Sequence, residues 1–315
     1  MSVLALRAEL AKLAHLGITT DLHGLDAADV RAVREAVSAR LFDDARPTLQ
    51  RVATGSRLLP TGLVARVGES VFGAALCAQV AGLLAPPYAL ELALRMSDPF
   101  LAEVSAAIDP RSAGEVVRRI PAPRVIAVAH VLLAHREYVT LARFVDYLEP
   151  ATIASVIDSV PDELQLLRIG AYVESPTKLA ELVGQLAPER TRAMIAALRG
   201  GDGTLWLEAL TIAEALDAEW RRRLGDIAAE LGLEVLGALV AAVCAFEMWT
   251  AAIPFVLAMS KSSQRRFLEV PALYDRAVLV TIVDAAMQLD RHSDLLELAA
   301  RTPVALGALL AEVMG

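Results

Sequence analysis

The sequence contains few of the residues that carry most protein chemistry. Its 315 residues include two cysteines, five histidines and an aromatic share of only 5%. Cys77 and Cys244 each lack a nearby second cysteine, which excludes CxxC zinc sites and dithiol redox motifs. No serine stands in a GxSxG motif, and no glycine-rich loop ends in Lys-Ser or Lys-Thr. The sequence therefore predicts no cofactor and no metal site, and it favours a non-enzymatic protein over an enzyme.

Strong positive charge is lacking as well. The formal net charge is −8, and the longest basic run, Arg221–Arg223, stands between Glu219 and Asp226. Binding to a nucleic-acid backbone needs clustered Lys and Arg, so we expect no nucleic-acid partner. The first 17 residues carry charges throughout and contain no apolar core of the kind found in a secretory signal. Together with the two isolated cysteines, this predicts a cytoplasmic protein.

Apolar residues are abundant by contrast. They make up 56% of the chain, and much of this share is Ala and Leu. Ala is the strongest helix former and Leu is close to it. No stretch of useful length alternates apolar and polar residues as a half-buried strand does. The composition therefore predicts an all-α protein.

A repeated phrase indicates the architecture. The segments LAEVSAAIDP, LARFVDYLEP and LAELVGQLAP place Pro110, Pro150 and Pro188 at intervals of 40 and 38 residues. A period of this length with helical spacing inside it is typical of stacked helical repeats. We expect a right-handed α-solenoid of three-helix repeats of about 40 residues, with prolines at the first helical positions. The predicted helices are 99–108, 110–120, 122–136, 138–149, 150–160, 161–174, 176–187, 188–199 and 203–217.

Two domains are predicted, with an N-terminal helical region at 1–96 and a helical-repeat domain at 97–315. Alternatively, the repeats are continuous with the first region. Asp26 is placed to cap a helix in the first region. We expect that helix to end before a turn-rich link that contains Arg46 and Pro47.

One repeat carries a resemblance to a known family. From Leu148 to Leu164 the chain reads L-x-P-x-x-x-x-x-V-I-x-x-V-P-x-E-L. This pattern resembles the helical repeats in the cytoplasmic N-terminal domain of MgtE-type magnesium transporters, and it is similar to the armadillo-like segment of flagellar motor switch proteins. The resemblance covers about residues 97–200 and implies an armadillo- or HEAT-like fold. It implies no transport, because the chain has no recognisable pair of CBS domains and no clear pore helices, and it transfers no functional residue.

Two apolar stretches raise the question of a membrane. Residues 70–90 contain no charge but are interrupted by Gly73, Gly82 and the pair Pro86-Pro87. Residues 231–260 carry two glutamates and are divided by Pro254. A membrane span needs about 20 strongly apolar residues. We expect buried core helices here; the alternatives are a surface that meets lipid or an apolar ligand, and a true span.

The densest group of candidate catalytic residues is His130, His135 and Glu137. The spacing of the two histidines turns their rings about 140° apart on a helix, whereas a shared metal ion prefers the i,i+4 spacing. Either histidine could serve as an acid or base in a groove with Glu137 nearby. The alternative interpretation is an ordinary polar helix end.

Large apolar residues near the C-terminal half suggest a ligand site. Phe246, Met248, Trp249 and Phe255 could line a pocket for a hydrophobic small molecule between helices. The alternative is that they only fill the core.

These observations lead to three functional hypotheses. The first is a helical-repeat scaffold or adaptor that binds a protein partner. The second is a carrier of a hydrophobic small molecule, either a lipid or an isoprenoid, with at most peripheral membrane contact. The third is an enzyme that acts on such a molecule through His130 or His135.

Overall fold

The computed structural model describes residues 6, 9–12, 26–201, 203–299, 306–307 and 312. Across these residues the chain forms helices joined by turns and short loops, and it contains no strand. This confirms the all-α prediction.

The contacts within the chain divide it into two compact units. The first comprises Val3–Ser175 and the second Pro176–Gly315. The domain boundary between residues 96 and 97 that the sequence suggests stays a prediction.

The structure gives the bounds of ten α-helices in the first unit, together with those of two short irregular ones. A π-helical segment, Gly68–Phe72, joins α2 to α3, and a 3-10 turn, Val145–Tyr147, follows α8. The α-helices are α1 Ala27–Ser56, α2 Thr61–Val67, α3 Gly73–Ala81, α4 Pro86–Arg95, α5 Asp98–Ala107, α6 Pro110–Val117, α7 Ala122–Ala134, α8 Tyr138–Phe144, α9 Pro150–Ser159 and α10 Glu163–Gly170.

Local chemistry at the helix ends explains most of these bounds. Proline is the first residue of α6 and α9, where its missing N–H has no intrahelical partner to lose. The Asp109 carboxylate accepts a hydrogen bond from the backbone N–H of Arg111 and so caps α6. Helix α7 ends two residues earlier than predicted, because His135 leaves the helical conformation and Arg136 has φ = 59°.

The predicted end of the first long helix near Pro47 is wrong. Helix α1 starts at the capping box of Asp26 and continues through Pro47 to Ser56. A proline inside a helix costs about 3 kcal/mol. Beyond it, Leu49 and Ala53 are buried in one apolar cluster with Val80. Their burial against α3 offsets the cost of the proline, an effect that a local sequence pattern cannot show.

Helices of the first unit pack against their next-but-one neighbours. One row of contacts joins α1, α3, α5, α7 and α9, and a second joins α2, α4 and α6, with a further contact between α8 and α10. One apolar cluster combines Ala78 of α3, Phe100 and Val104 of α5, and Ala113 and Val117 of α6. Each of these helices is too short to be stable alone, so its stability comes from this packing.

The second unit repeats the same kind of arrangement. Contacts join α12, α14, α16 and α18 in one row, and α11, α13 and α15 in another. Leu236, Leu239, Val240 and Val243 of α15 are among its most deeply buried residues. The described helices are α11 Pro176–Gln185, α12 Pro188–Ala197, α13 Thr204–Ala215, α14 Ala218–Leu231, α15 Leu233–Ala245, α16 Trp249–Ala258, α17 Lys261–Phe267, α18 Arg276–Gln288 and α19 His292–Ala299.

A buried group of charges joins distant parts of the first unit. Glu9 and Lys12 are only 2% and 3% exposed. The Lys12 ammonium donates hydrogen bonds to Glu9 Oε1 at 3.0 Å and to Glu174 Oε1 at 3.1 Å. Arg31 Nη2 donates to Glu9 Oε1 at 3.1 Å, and Arg34 Nη2 donates to Glu174 Oε1 at 2.8 Å. The network therefore links the N-terminal segment, α1 and the residues that follow α10.

The charges of this network control the pKa of Glu174. Burial by itself raises the pKa of this carboxyl, but the positive charges of Lys12 and Arg34 outweigh burial and lower it below its usual value. A carboxyl whose pKa is lowered on folding stabilises the folded state above its unfolded-state pKa. That stability is lost as the pH falls through the folded-state pKa.

We therefore expect Glu174→Gln to lower the free energy of unfolding at neutral pH by about 1–2 kcal/mol, because a partly buried ion pair loses one partner. We also expect the variant to lose less stability than the parent between about pH 5 and 3. Urea unfolding over this range measures both effects. Glu115→Gln is the control, since Glu115 forms an exposed pair with Arg119. Equal pH dependence in the two variants would contradict the expectation.

Two helical glycines allow a test of packing. A Cβ atom at Gly114 of α6 would lie 2.5 Å from Cδ1 of Tyr147, whereas a Cβ at Gly237 of α15 would meet nothing within 4 Å. Alanine favours a helix by about 1 kcal/mol over glycine, while overpacking costs about 1–3 kcal/mol. Gly114→Ala should therefore lower the thermal midpoint and Gly237→Ala should raise it. A higher midpoint for both variants would show that the Tyr147 ring gives way freely.

Candidate apolar binding cavity

An apolar cavity of about 130 Å³ lies within the first unit. Its walls come from the end of α1, from α2 through α6, and from Phe144 of α8. The first wall consists of Val64, Gly68, Phe72 and Leu76, which recur every four residues along α2, the π-helical segment and α3. This spacing places them on one side of the continuous helical run.

Gly68 permits the close approach of the helices at this wall. A Cβ atom at this position would lie 3.1 Å from the sulfur of Cys77, a distance tighter than most such contacts. At the end of the π-helical segment, Gly73 has φ = 75°, a conformation that favours glycine. These two glycines therefore allow the run from Thr61 to Ala81 to border the cavity along its length.

The opposite walls are almost entirely aliphatic. Leu92 and Met96 belong to α4 and the residue after it, Val104 and Ile108 to α5 and its end, and Val117 to α6. Apart from Met96, these residues are buried. The cavity is thus enclosed by the same residues that form the apolar core of the unit.

The polar groups at the cavity wall are already satisfied. The Ser56 hydroxyl donates to the carbonyl oxygen of Ala53 at 2.9 Å, and the Ser105 hydroxyl donates to that of Leu101 at 2.8 Å. None of the lining residues carries a charged side chain. A water molecule needs two to four polar partners, so these walls favour an apolar occupant over water.

The third polar group at the wall is the thiol of Cys77. Burial raises its pKa, and the nearby charge of Glu69 raises it further. The thiol therefore stays protonated at neutral pH and behaves as a small apolar group.

The cavity reaches the surface near Phe72. The side chain of Phe72 lines the cavity and is nevertheless 48% exposed. Val64 and Leu76 beside it are also partly exposed. A ligand longer than the cavity could extend outward along this side.

The predicted catalytic residues lie elsewhere. His130 is exposed on α7, and His135 is exposed just after that helix ends. Glu137 is partly buried and accepts a hydrogen bond from the Thr140 hydroxyl at 2.9 Å. None of the three lines the apolar cavity, and an acid or base role for them stays a prediction.

The predicted ligand-binding residues are only partly brought together. Met248, Trp249 and Phe255 are buried, whereas Phe246 is 38% exposed at the end of α15. Trp249 alone among the four lines a second cavity, in the second unit, and this cavity measures about 40 Å³. An apolar cavity that binds benzene measures about 150 Å³, so of these two the 130 Å³ cavity of the first unit is the better candidate.

The sequence contained one signal for the larger cavity. The charge-free stretch 70–90 supplies Phe72, Leu76, Cys77 and Val80 to its walls. Sequence reasoning missed the residues of α5 and α6, because their apolar positions look the same whether they fill a core or border a space within it.

Two further properties bear on the chemistry. Within the described residues, no three His, Cys, Asp or Glu side chains are grouped so that they could hold a metal ion. By length and composition, Thr61–Ala81 could cross a membrane, and 22% of its apolar window is buried in the protein. The pair Ala218–Leu231 and Leu233–Ala245 passes the same test together but is bent by 119°.

Comparisons of the chain with protein-family models, with curated proteins and with solved structures found no match.

The raised pKa of Cys77 leads to a test of the cavity wall. In a Cys244→Ser variant, Cys77 should react with iodoacetamide several-fold more slowly than a free small thiol at mildly alkaline pH, because less of it is thiolate. Unfolding in guanidinium should restore the rate. A folded protein that reacts as fast as the free thiol would place Cys77 in water, contrary to the structure.

Proposed function

We propose that this chain is a non-enzymatic α-helical repeat protein that binds an apolar small molecule, such as a lipid or isoprenoid chain, in the cavity of its first unit. The observation that carries this proposal is the cavity wall, which combines aliphatic side chains with hydroxyls that already donate to helix carbonyls. Such a wall offers a ligand no directional partner. It selects for apolar surface and for a shape that fits.

Energetics define the size of a suitable ligand. Each buried methylene contributes about 0.8 kcal/mol, and the cavity volume is close to that of sites that hold one six-carbon ring. About six buried carbons therefore contribute roughly 5 kcal/mol before the costs of association. Micromolar binding requires about 8 kcal/mol. A biological ligand is thus longer and continues past Phe72.

The fold part of the proposal is an α-solenoid of three-helix repeats. The next-but-one contacts within each unit support it, since stacked repeats bury their apolar faces on successive neighbours. The resemblance to the repeats of MgtE-type transporters supports the proposed fold and no function. We also propose a cytoplasmic location, which the two isolated cysteines of the sequence favour.

A protein-interaction scaffold is the second candidate. It is favoured by α18, which exposes Val280 and Met287 seven residues apart on one helical face. A reproducible protein partner that is lost on Met287→Ser, together with an empty cavity, would support the scaffold in place of the carrier.

Two measurements test the carrier. Organic extraction of the purified protein followed by mass spectrometry should release an apolar compound in near-stoichiometric amount. After extraction, the neutral dye N-phenyl-1-naphthylamine should bind the refolded protein with enhanced fluorescence. An empty protein that also fails to bind the dye would overturn the proposal.

Filling the cavity should abolish dye binding. Ala81→Phe places a ring inside the cavity, so we expect at least a tenfold loss of affinity for the dye. Ala134→Phe is the matched control, because Ala134 is exposed on α7 and away from the cavity wall. Leu76→Trp serves as a second filling variant if Ala81→Phe unfolds. Equal dye affinity in the filled and control variants would place the dye elsewhere.

A further inference from the structure

An exposed apolar surface runs along residues 58–72 of the first unit. Leu58 is 85% exposed and Val71 is 71% exposed, and Leu59, Leu63 and Phe72 are each about half exposed. Isolated exposed apolar residues are common, whereas five of them within fifteen positions of the chain indicate a site of interaction. We call residues 58–72, with the flanking Arg57, the 58–72 surface.

Positive charge accompanies these apolar residues. Arg57 stands directly before Leu58, and Arg66 lies one helical turn after Leu63 on the same face of α2. Both arginines are exposed, and neither forms an ion pair with another described residue. The only acidic residue from 46 to 90 is Glu69. Its carboxylate accepts a hydrogen bond from the backbone N–H of Ser97.

The local charge contrasts with that of the chain. Residues 46–90 contain four arginines and one glutamate, a balance of +3, whereas the whole chain carries −8. The exposed Glu91 accepts a hydrogen bond from Thr61 of this surface, and its charge is balanced by its ion pair with Arg95. Exposed leucines beside arginines without ion pairs suit a partner that has an apolar interior and a negatively charged surface. A second copy of the chain would place the same arginines against each other in a symmetric contact, which is unfavourable.

We propose that the 58–72 surface docks this protein onto an anionic lipid bilayer. Leu58, Leu63 and Val71 enter the boundary between headgroups and acyl chains, and Arg57 and Arg66 lie against the phosphates of the headgroups. Apolar burial and basic charge are the two contributions that peripheral membrane binding needs together. The docking residues differ from those that enclose the cavity, except for Phe72.

Phe72 connects the proposed docking surface with the cavity. Phe72 belongs both to the cavity wall and to the 58–72 surface, so docking brings this edge of the cavity close to the bilayer. Leu63 and Arg66 lie on a different side of the helical run from the wall residues Val64 and Gly68. The docking itself does not depend on a ligand in the cavity.

Co-sedimentation with lipid vesicles tests the docking. The full chain is mixed with vesicles of phosphatidylcholine alone or with about one third phosphatidylglycerol, at low and at high salt. We expect binding to the anionic vesicles that weakens as salt screens the charges. No binding to either vesicle, or equal binding to both, would overturn the proposal.

Variants on the 58–72 surface separate the contributions of basic charge and of apolar burial to vesicle binding. Each arginine near an anionic bilayer is worth about a fivefold change in affinity, so the double variant Arg57→Gln/Arg66→Gln should bind about 25-fold more weakly. Leu58→Ser/Val71→Ser should lose binding and keep its fold, because both side chains already lie in water. Met287→Ser, at a position in the second unit that is also well exposed, should bind like the parent. Unchanged vesicle binding in both double variants would overturn the proposal.

Two controls keep the outcomes distinct. The cavity-filled Ala81→Phe protein should still bind anionic vesicles, so docking and ligand binding can fail independently. Native mass spectrometry of the parent tests for a second copy on this surface. A dimer that Leu58→Ser/Val71→Ser abolishes, without vesicle binding by the parent, would assign the surface to self-association and reject the lipid.

Discussion

Packing of each helix on its next-but-one neighbour is the interaction on which this structure depends. Most of the helices have only 7–14 residues, a length at which an isolated helix is marginal in water. Their apolar faces become stable only when buried against a second helix, and the rows α1 to α9 and α12 to α18 provide that burial. The cavity follows from the same constraint. Where α2 to α6 surround a common centre, their aliphatic side chains leave a space that no polar group needs to occupy.

Much of this fold could be predicted from the sequence, because its signals are local. The prolines at the starts of α6, α9, α11 and α12 mark helix starts by a rule that needs no tertiary information. Pro47 shows where such rules fail. The burial of Leu49 and Ala53 against α3 stabilises α1 beyond its internal proline, and that contact joins residues about thirty positions apart.

The candidate site was harder to predict for a related physical reason. A leucine or valine that borders a cavity has the same helical spacing and chemistry as one that fills a core. Trp249 and Phe255 are candidates in the sequence because they are large and apolar, but large side chains fill space, and the cavity beside Trp249 is smaller than the cavity of the first unit. The larger cavity is enclosed mainly by smaller groups such as Gly68, Ala93 and Val104. Small side chains leave the cavity unfilled, and only the structure shows that the exposed Phe72 is part of its wall.

The buried charges around Lys12 have a consequence for the synthesis of the chain. Lys12 leaves the ribosome early, but its partner Glu174 is 162 residues further along. At about 5–20 residues per second, roughly 10–30 seconds pass before that carboxylate exists. During this interval the first segment has no complete set of counter-charges and cannot be buried at low cost. Burial of the Lys12 ammonium with both of its carboxylate partners therefore has to wait until the chain has been made as far as Glu174.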